Sequence, residues 1–146
     1  MKKGKVIGVI PARLGSTRFP GKALIDVSGK PLFIWPVEAA KASKMIDQVI
    51  VATDSDEIAE AAQKYNIPYF MNKAKCNCGS ERVAEYANHI RQLSSSENDF
   101  CDTDYFVNIQ ADEALLQSWM LDLLLERTFE LNSDMATITA PILAHE

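Results

Sequence analysis

Histidine and cysteine are scarce in this chain, and its glycines do not fall where the common nucleotide motifs need them. There are two His and three Cys among 146 residues. Cys76 and Cys78 form a CxC pair without a second pair or a nearby histidine, and Cys101 stands apart, a poor match to zinc spacing. His89 and His145 are isolated and receive no role. No apolar run approaches the roughly 20 residues of a membrane span. Met1–Lys5 leads into about five apolar residues, too short for a signal-peptide core. The expectation is therefore a cytoplasmic protein with no membrane partner. No GxGxxG follows a strand, which argues against a dinucleotide site. The Walker pattern fails as well: five residues, not four, separate Gly15 from Gly21, and Ala23 stands where Ser or Thr would hold magnesium.

The charge is unevenly placed. A net charge of −5 disfavours a general nucleic-acid binder. Residues 1–30 nevertheless hold seven Lys/Arg against one Asp, and the remainder eight against nineteen Asp/Glu. An anionic ligand should meet the N-terminal end.

Lys5–Ile10 (KVIGVI) and Gln48–Thr53 (QVIVAT) are β-branched runs that read as buried strands, with Tyr105–Gln110 and Met135–Ile142 as further candidates and Pro68–Met71 as a weaker one. Helical spacing fills the gaps. A helix is expected from Pro31 to Ser43, with a distortion allowed at Pro36. Another, capped by Ser55 or Asp54, runs to about Tyr65 with Asp56 and Glu57 in its first turn. Ser80–Leu93 and Gln117–Leu131 complete the set, the latter with Trp119, Leu123, Leu124 and Phe129 as a core stripe. Ser94–Asp104 is polar and aperiodic, and reads as a loop. This alternation predicts an α/β fold: a mostly parallel sheet with helices on both faces and a ligand outside the carboxyl ends of its strands.

That rule gathers three segments at one edge. The loop after the first strand, Pro11–Lys22 (PARLGSTRFPGK), carries Arg13, Arg18 and Lys22 with two hydroxyls and two glycines. Gly15 and Gly21 permit tight turns whose N–H groups can face oxyanions, and the cations supply charge, as a polyphosphate requires. Asp54 follows the second strand. Asp112 and Glu113 follow Tyr105–Gln110, where hard oxygen ligands could hold Mg²⁺ together with substrate phosphates. An acidic helix start is the plain alternative for that pair.

Four ordered blocks, Pro11–Leu24 (PARLGSTRFPGKAL), Val51–Asp54 (VATD), Gly79–Glu85 (GSERVAE) and Asn108–Glu113 (NIQADE), resemble the 3-deoxy-manno-octulosonate cytidylyltransferase family. The resemblance implies a Rossmann-like nucleotidyltransferase fold, with residues 1–146 as its CTP-binding domain and the family's C-terminal part missing. It implies a reaction of CTP with an acidic 2-keto sugar, giving the CMP-sugar and pyrophosphate for lipopolysaccharide or capsule synthesis, with Mg²⁺ required. Matched by position, Arg13 and Lys22 would grip the triphosphate, supported by Ser16 and Arg18. Ser80 and Arg82 would lie around nucleotide or sugar, Gln110 would face the sugar, and Asp112 would hold Mg²⁺. A homodimer is family-like, although the usual interface region is absent. Two residues depart from the pattern: Ala111 stands for Gly and Ala114 for Pro, so a backbone needing φ > 0 at residue 111 would be strained. A spore-coat-type cytidylyltransferase shares the first loop but not Gly79–Glu85. A nucleotide-binding module without turnover is the alternative of another class.

Overall fold

A computed structural model describes residues 4–15, 19–93 and 104–139. Its centre is β1 (Val6–Ala12), paired in parallel with β4 (Gln48–Thr53) on one side and β6 (Tyr105–Asn108) on the other. β5 (Tyr69–Met71) adds to β4, giving the order β5-β4-β1-β6. The β-branched runs form central strands because both of their faces are covered, which is also why they read as continuous apolar stretches. Ile10 and Ala12 of β1, with Val49 and Val51 of β4, pack towards α1 (Ile34–Lys41), α2 (Asp56–Lys64) and α4 (Ser118–Glu130). Ile7, Val9, Ile50 and Ala52 point the other way, against Val83 and Tyr86 of α3 (Gly79–Leu93). The expected α/β fold with helices on both faces is thus observed. Each fully buried Val or Ile contributes about 1.5–3 kcal/mol.

Several boundaries differ from the expectations. Pro31 does not begin a helix. It pairs with Asp26 in a small antiparallel hairpin of β2 (Asp26–Val27) and β3 (Lys30–Pro31), whose turn residues Ser28 and Gly29 both have positive φ. α1 starts three residues later, which puts Pro36 in the first turn, where its missing N–H leaves no intrahelical bond unmade. The cap of α2 is Ser55, whose Oγ accepts from the Ile58 N–H at 3.2 Å. β6 ends at Asn108 rather than Gln110.

The core stripe expected on α4 is corrected. The helix buries Leu121, Leu125 and Thr128, whereas Trp119 and Leu123 are 59% and 47% exposed. Asp122 fixes this rotation by accepting from Ser43 Oγ at 2.6 Å and from the Lys44 N–H at 3.0 Å, which ties α4 to the end of α1. Residues 135–139 form no strand, and Met135 and Ile138 are exposed. The rest of Met135–Ile142, and residues 94–103 of the expected loop, lie outside the described residues. Among the described residues no helix is long and apolar enough to cross a membrane.

Candidate active site

From β1 the chain moves outward to β4 and β5, and then returns across β1 to β6. The loops after β1 and β6 therefore flank the point where strand order reverses, the usual ligand crevice of an open α/β sheet. Lys22 and Asp112 meet there, with Lys22 Nζ donating to Asp112 Oδ2 at 2.5 Å and both side chains 45% exposed. Ninety residues apart in sequence, they are joined by topology alone.

The first loop is closed by its own backbone. The Gly21 N–H donates to the Leu14 carbonyl at 2.9 Å, and Gly21 adopts φ 73°, a conformation that favours glycine. Its N–H is thus spent on closing the loop and is not free to face an oxyanion, contrary to expectation. A single helical turn, Lys22–Leu24, follows and buries Ala23, leaving the Lys22 ammonium at the rim. Arg13 is exposed on the same loop. Ser16 and Arg18 lie outside the described residues, as does Cys101; Cys76 and Cys78 are free thiols.

The third block reaches the same edge through the start of α3. A Cβ at Gly79 would come within 3.0 Å of the Pro11 ring and 3.8 Å of Gln110 Nε2, so this helix begins against the exits of β1 and β6. Ser80 Oγ accepts from Asn108 Nδ2 at 3.2 Å, and Gln110 Nε2 donates to Asn108 Oδ1 at 3.4 Å. Asn108 thus links two residues singled out from the sequence; it opens the fourth block but was given no role there. Before the helix, Asn77 donates from its backbone N–H to Glu81 Oε2 at 2.7 Å, and this bond, ahead of that from the Asn77 side chain, holds the Glu81 carboxyl below its ordinary pKa.

Arg82 is set apart from the other basic residues of the site. It is 3% exposed, with Nη2 donating to Asp54 Oδ2 at 2.7 Å and Nη1 to the Asn72 carbonyl at 2.9 Å. Ala111 is not among the residues with positive φ, so the strain that a positive φ would have placed on an alanine there does not arise.

Asp112 offers an exposed carboxylate beside Glu113, and among the described residues no cluster of three or more His, Cys, Asp or Glu could hold an ion alone. An Mg²⁺ held by Asp112 would have to take its remaining ligands from waters and substrate phosphates.

Fold and edge together are those of an open α/β sheet with a ligand crevice at its switch point, as in α/β nucleotidyltransferases. The chain belongs to the cytidylyltransferase family, whose description matches residues 7–146. It is 41% identical over 143 residues to a 3-deoxy-manno-octulosonate cytidylyltransferase of Bdellovibrio bacteriovorus, covering 97% of this chain and 53% of the relative. A solved CMP:2-keto-3-deoxy-manno-octonic acid synthetase complexed with CTP is similar at 29% identity and TM-score 0.75, over 87% of this chain and 48% of that one. A cytidylyltransferase from Leptospira borgpetersenii matches at 26% identity and TM-score 0.68, over 87% and 50%. The chain spans about half the length of the curated relatives it matches.

Proposed function

We propose that this chain is the CTP-binding domain of a 3-deoxy-manno-octulosonate cytidylyltransferase that joins CTP and the sugar acid to give the CMP-sugar and pyrophosphate in the cytoplasm, for lipopolysaccharide or capsule synthesis. The observation that carries the reading is the meeting of Lys22 and Asp112 at the point where strand order reverses, with Gly79 and Gln110 on the same edge. The relatives' names supply the sugar.

In this reading Arg13 and Lys22 bind the triphosphate, Ser16 and Arg18 support their loop, and Ser80 and Gln110 face nucleotide and sugar. Asp112 would hold Mg²⁺, which when bound supplies positive charge to the phosphates. The sugar's anomeric hydroxyl oxygen bonds to the α-phosphorus as the bond to the pyrophosphate oxygen breaks, and the hydroxyl proton passes to solvent. Lys22 and Arg13 stabilise the charge that collects on the leaving group. The rest is positioning: acceptor and phosphorus must be held about 3–3.5 Å apart, which can supply about 7–11 kcal/mol of the barrier.

The test is pyrophosphate release from CTP with 3-deoxy-manno-octulosonate, beside parallel reactions with ATP and with a sialic acid. Beyond Arg91 the sole Lys/Arg of the sequence is Arg127, which is paired with Glu130, so that segment offers the sugar carboxylate no basic cluster. Turnover by these 146 residues is therefore expected below about 1 s⁻¹, the low end for ordinary enzymes. Release that needs neither CTP nor this sugar acid would overturn the assignment.

A further inference from the structure

We infer that Arg82 and Asp54 are a positioning pair that holds the start of α3 over the nucleotide site, and that Arg82 acts without touching the substrate. The inference rests on the cytidylyltransferase reading and assigns Arg82 a place behind that site.

The guanidinium is buried and its hydrogen bonds run to two strand exits. Through Asp54 it grips the exit of β4, and through the Asn72 carbonyl the exit of β5. Asn72 is held in turn: its N–H donates to the Thr53 carbonyl at 2.9 Å, and its Nδ2 to Glu85 Oε2 at 3.2 Å. One side chain on the first turn of α3 thus fastens that helix to two strand ends. On the opposite side, Gly79 packs on Pro11 and Ser80 accepts from Asn108. The start of α3 is clamped from both sides, and Ser80 is the residue between the clamps that faces the crevice.

The chemistry of the pair accounts for the choice of residues. A planar guanidinium presents donors in a fixed fork and can serve a carboxylate and a carbonyl at once, whereas a lysine ammonium is a flexible point charge. A buried cation needs a counter-charge, and Asp54, 38% exposed, supplies it from the rim. Asp54 stands where a carboxylate at a strand end could face ligand, but its charge is committed to Arg82. Asp112, by contrast, is held by a cation at the crevice itself, one that a triphosphate can draw away.

The experiment is a double-mutant cycle of Asp54→Asn, Arg82→Gln and the double variant. CTP affinity is read by calorimetry with Mg²⁺, well below the unfolding temperature of each protein. Hydrogen exchange of the Ser80–Arg82 amides is read without ligand. Each single change should weaken CTP about tenfold, the low end for removing a supporting contact, and should speed exchange at the start of α3. The double variant should be no weaker than the worse single. A loss confined to Arg82→Gln, with Asp54→Asn binding as tightly as the unaltered chain, would mean direct contact with the ligand and would overturn the proposal. So would additive losses, or lowered melting temperatures with unchanged affinity. Should Arg82→Gln fail to fold, Asp54→Asn still decides, because its partner position is at the rim. If the unaltered chain binds no CTP, the functional reading fails separately, and exchange decides the pair: faster in both variants sustains the tie, unchanged removes it.

Discussion

Lys22 and Lys30 are eight positions apart and both basic, but only Lys22 belongs to the proposed site, and replacing each by alanine should separate them. Lys22 is half exposed and its partner Asp112 equally so, hence their pair is screened and worth only about 0.2–1 kcal/mol to the fold. The proposed contact with a triphosphate, being charge-assisted, would be worth about 1.5–3 kcal/mol. Lys22→Ala should therefore weaken CTP by about 10- to 150-fold while barely moving the melting temperature. Lys30 is 19% exposed on its side chain, held by Glu38 and seated 3.8 Å above the Trp35 ring. A largely covered cation over an aromatic face and a half-exposed carboxylate together contribute about 1 kcal/mol. Lys30→Ala should lower the melting temperature by about 2–4 °C and leave CTP affinity unchanged. Calorimetric titration with Mg²⁺ and thermal unfolding of both variants supply the two readouts. Equal losses of affinity would refute the reasoning, since binding would then follow general surface charge and not a shaped site.

Two further outcomes follow from burial and ionisation. Leu125→Ala should cost about 2–5 kcal/mol in denaturant unfolding and Leu123→Ala about 0.5 kcal/mol or less, because only Leu125 faces the core; the reverse order would restore the stripe expected from the sequence. Glu57 is held below its ordinary pKa chiefly by the Ser55 hydroxyl, and Glu81 chiefly by the Asn77 N–H. Carboxyls depressed in the folded state contribute stability that is complete above the unfolded pKa of about 4.3 and is lost as pH falls through the lower folded value. The melting temperature of Glu81→Gln should therefore fall less steeply on acidification below about pH 4.3 than that of the unaltered chain, and parallel curves would contradict this.

The strands that build the sheet were legible because β1 and β4 are buried on both faces, so hydrophobic runs mark them without any need of periodicity. The cap of α2 was legible only as Ser55 or Asp54, since either can accept ahead of an acidic first turn; the structure uses Ser55. The hairpin of β2 and β3 was missed although Ser28-Gly29 is a turn signal, because strands of two residues leave no pattern. The face of α4 was misread because Trp119–Leu125 is apolar around most of its circumference, and periodicity then cannot choose a side. Asp122, reaching back to Ser43 and Lys44, makes that choice through contacts 78 and 79 positions apart. At the site, the first loop and Asp112 could be gathered by the rule of strand ends. That Arg82 is buried against two strand exits could not, since its burial depends on Asp54 and Asn72, which sequence order does not bring near.

The central claim is that the loop after β1 and the exit of β6 form one site for a cytidine triphosphate with its metal. Thermal unfolding of the chain with CTP, with CTP and Mg²⁺, and with ATP and Mg²⁺ tests it most directly. CTP at about a hundred times its dissociation constant should add about 2.7 kcal/mol of stability, Mg²⁺ should tighten the binding, and ATP should do markedly less. A melting temperature unmoved by saturating CTP and raised by ATP would contradict the account.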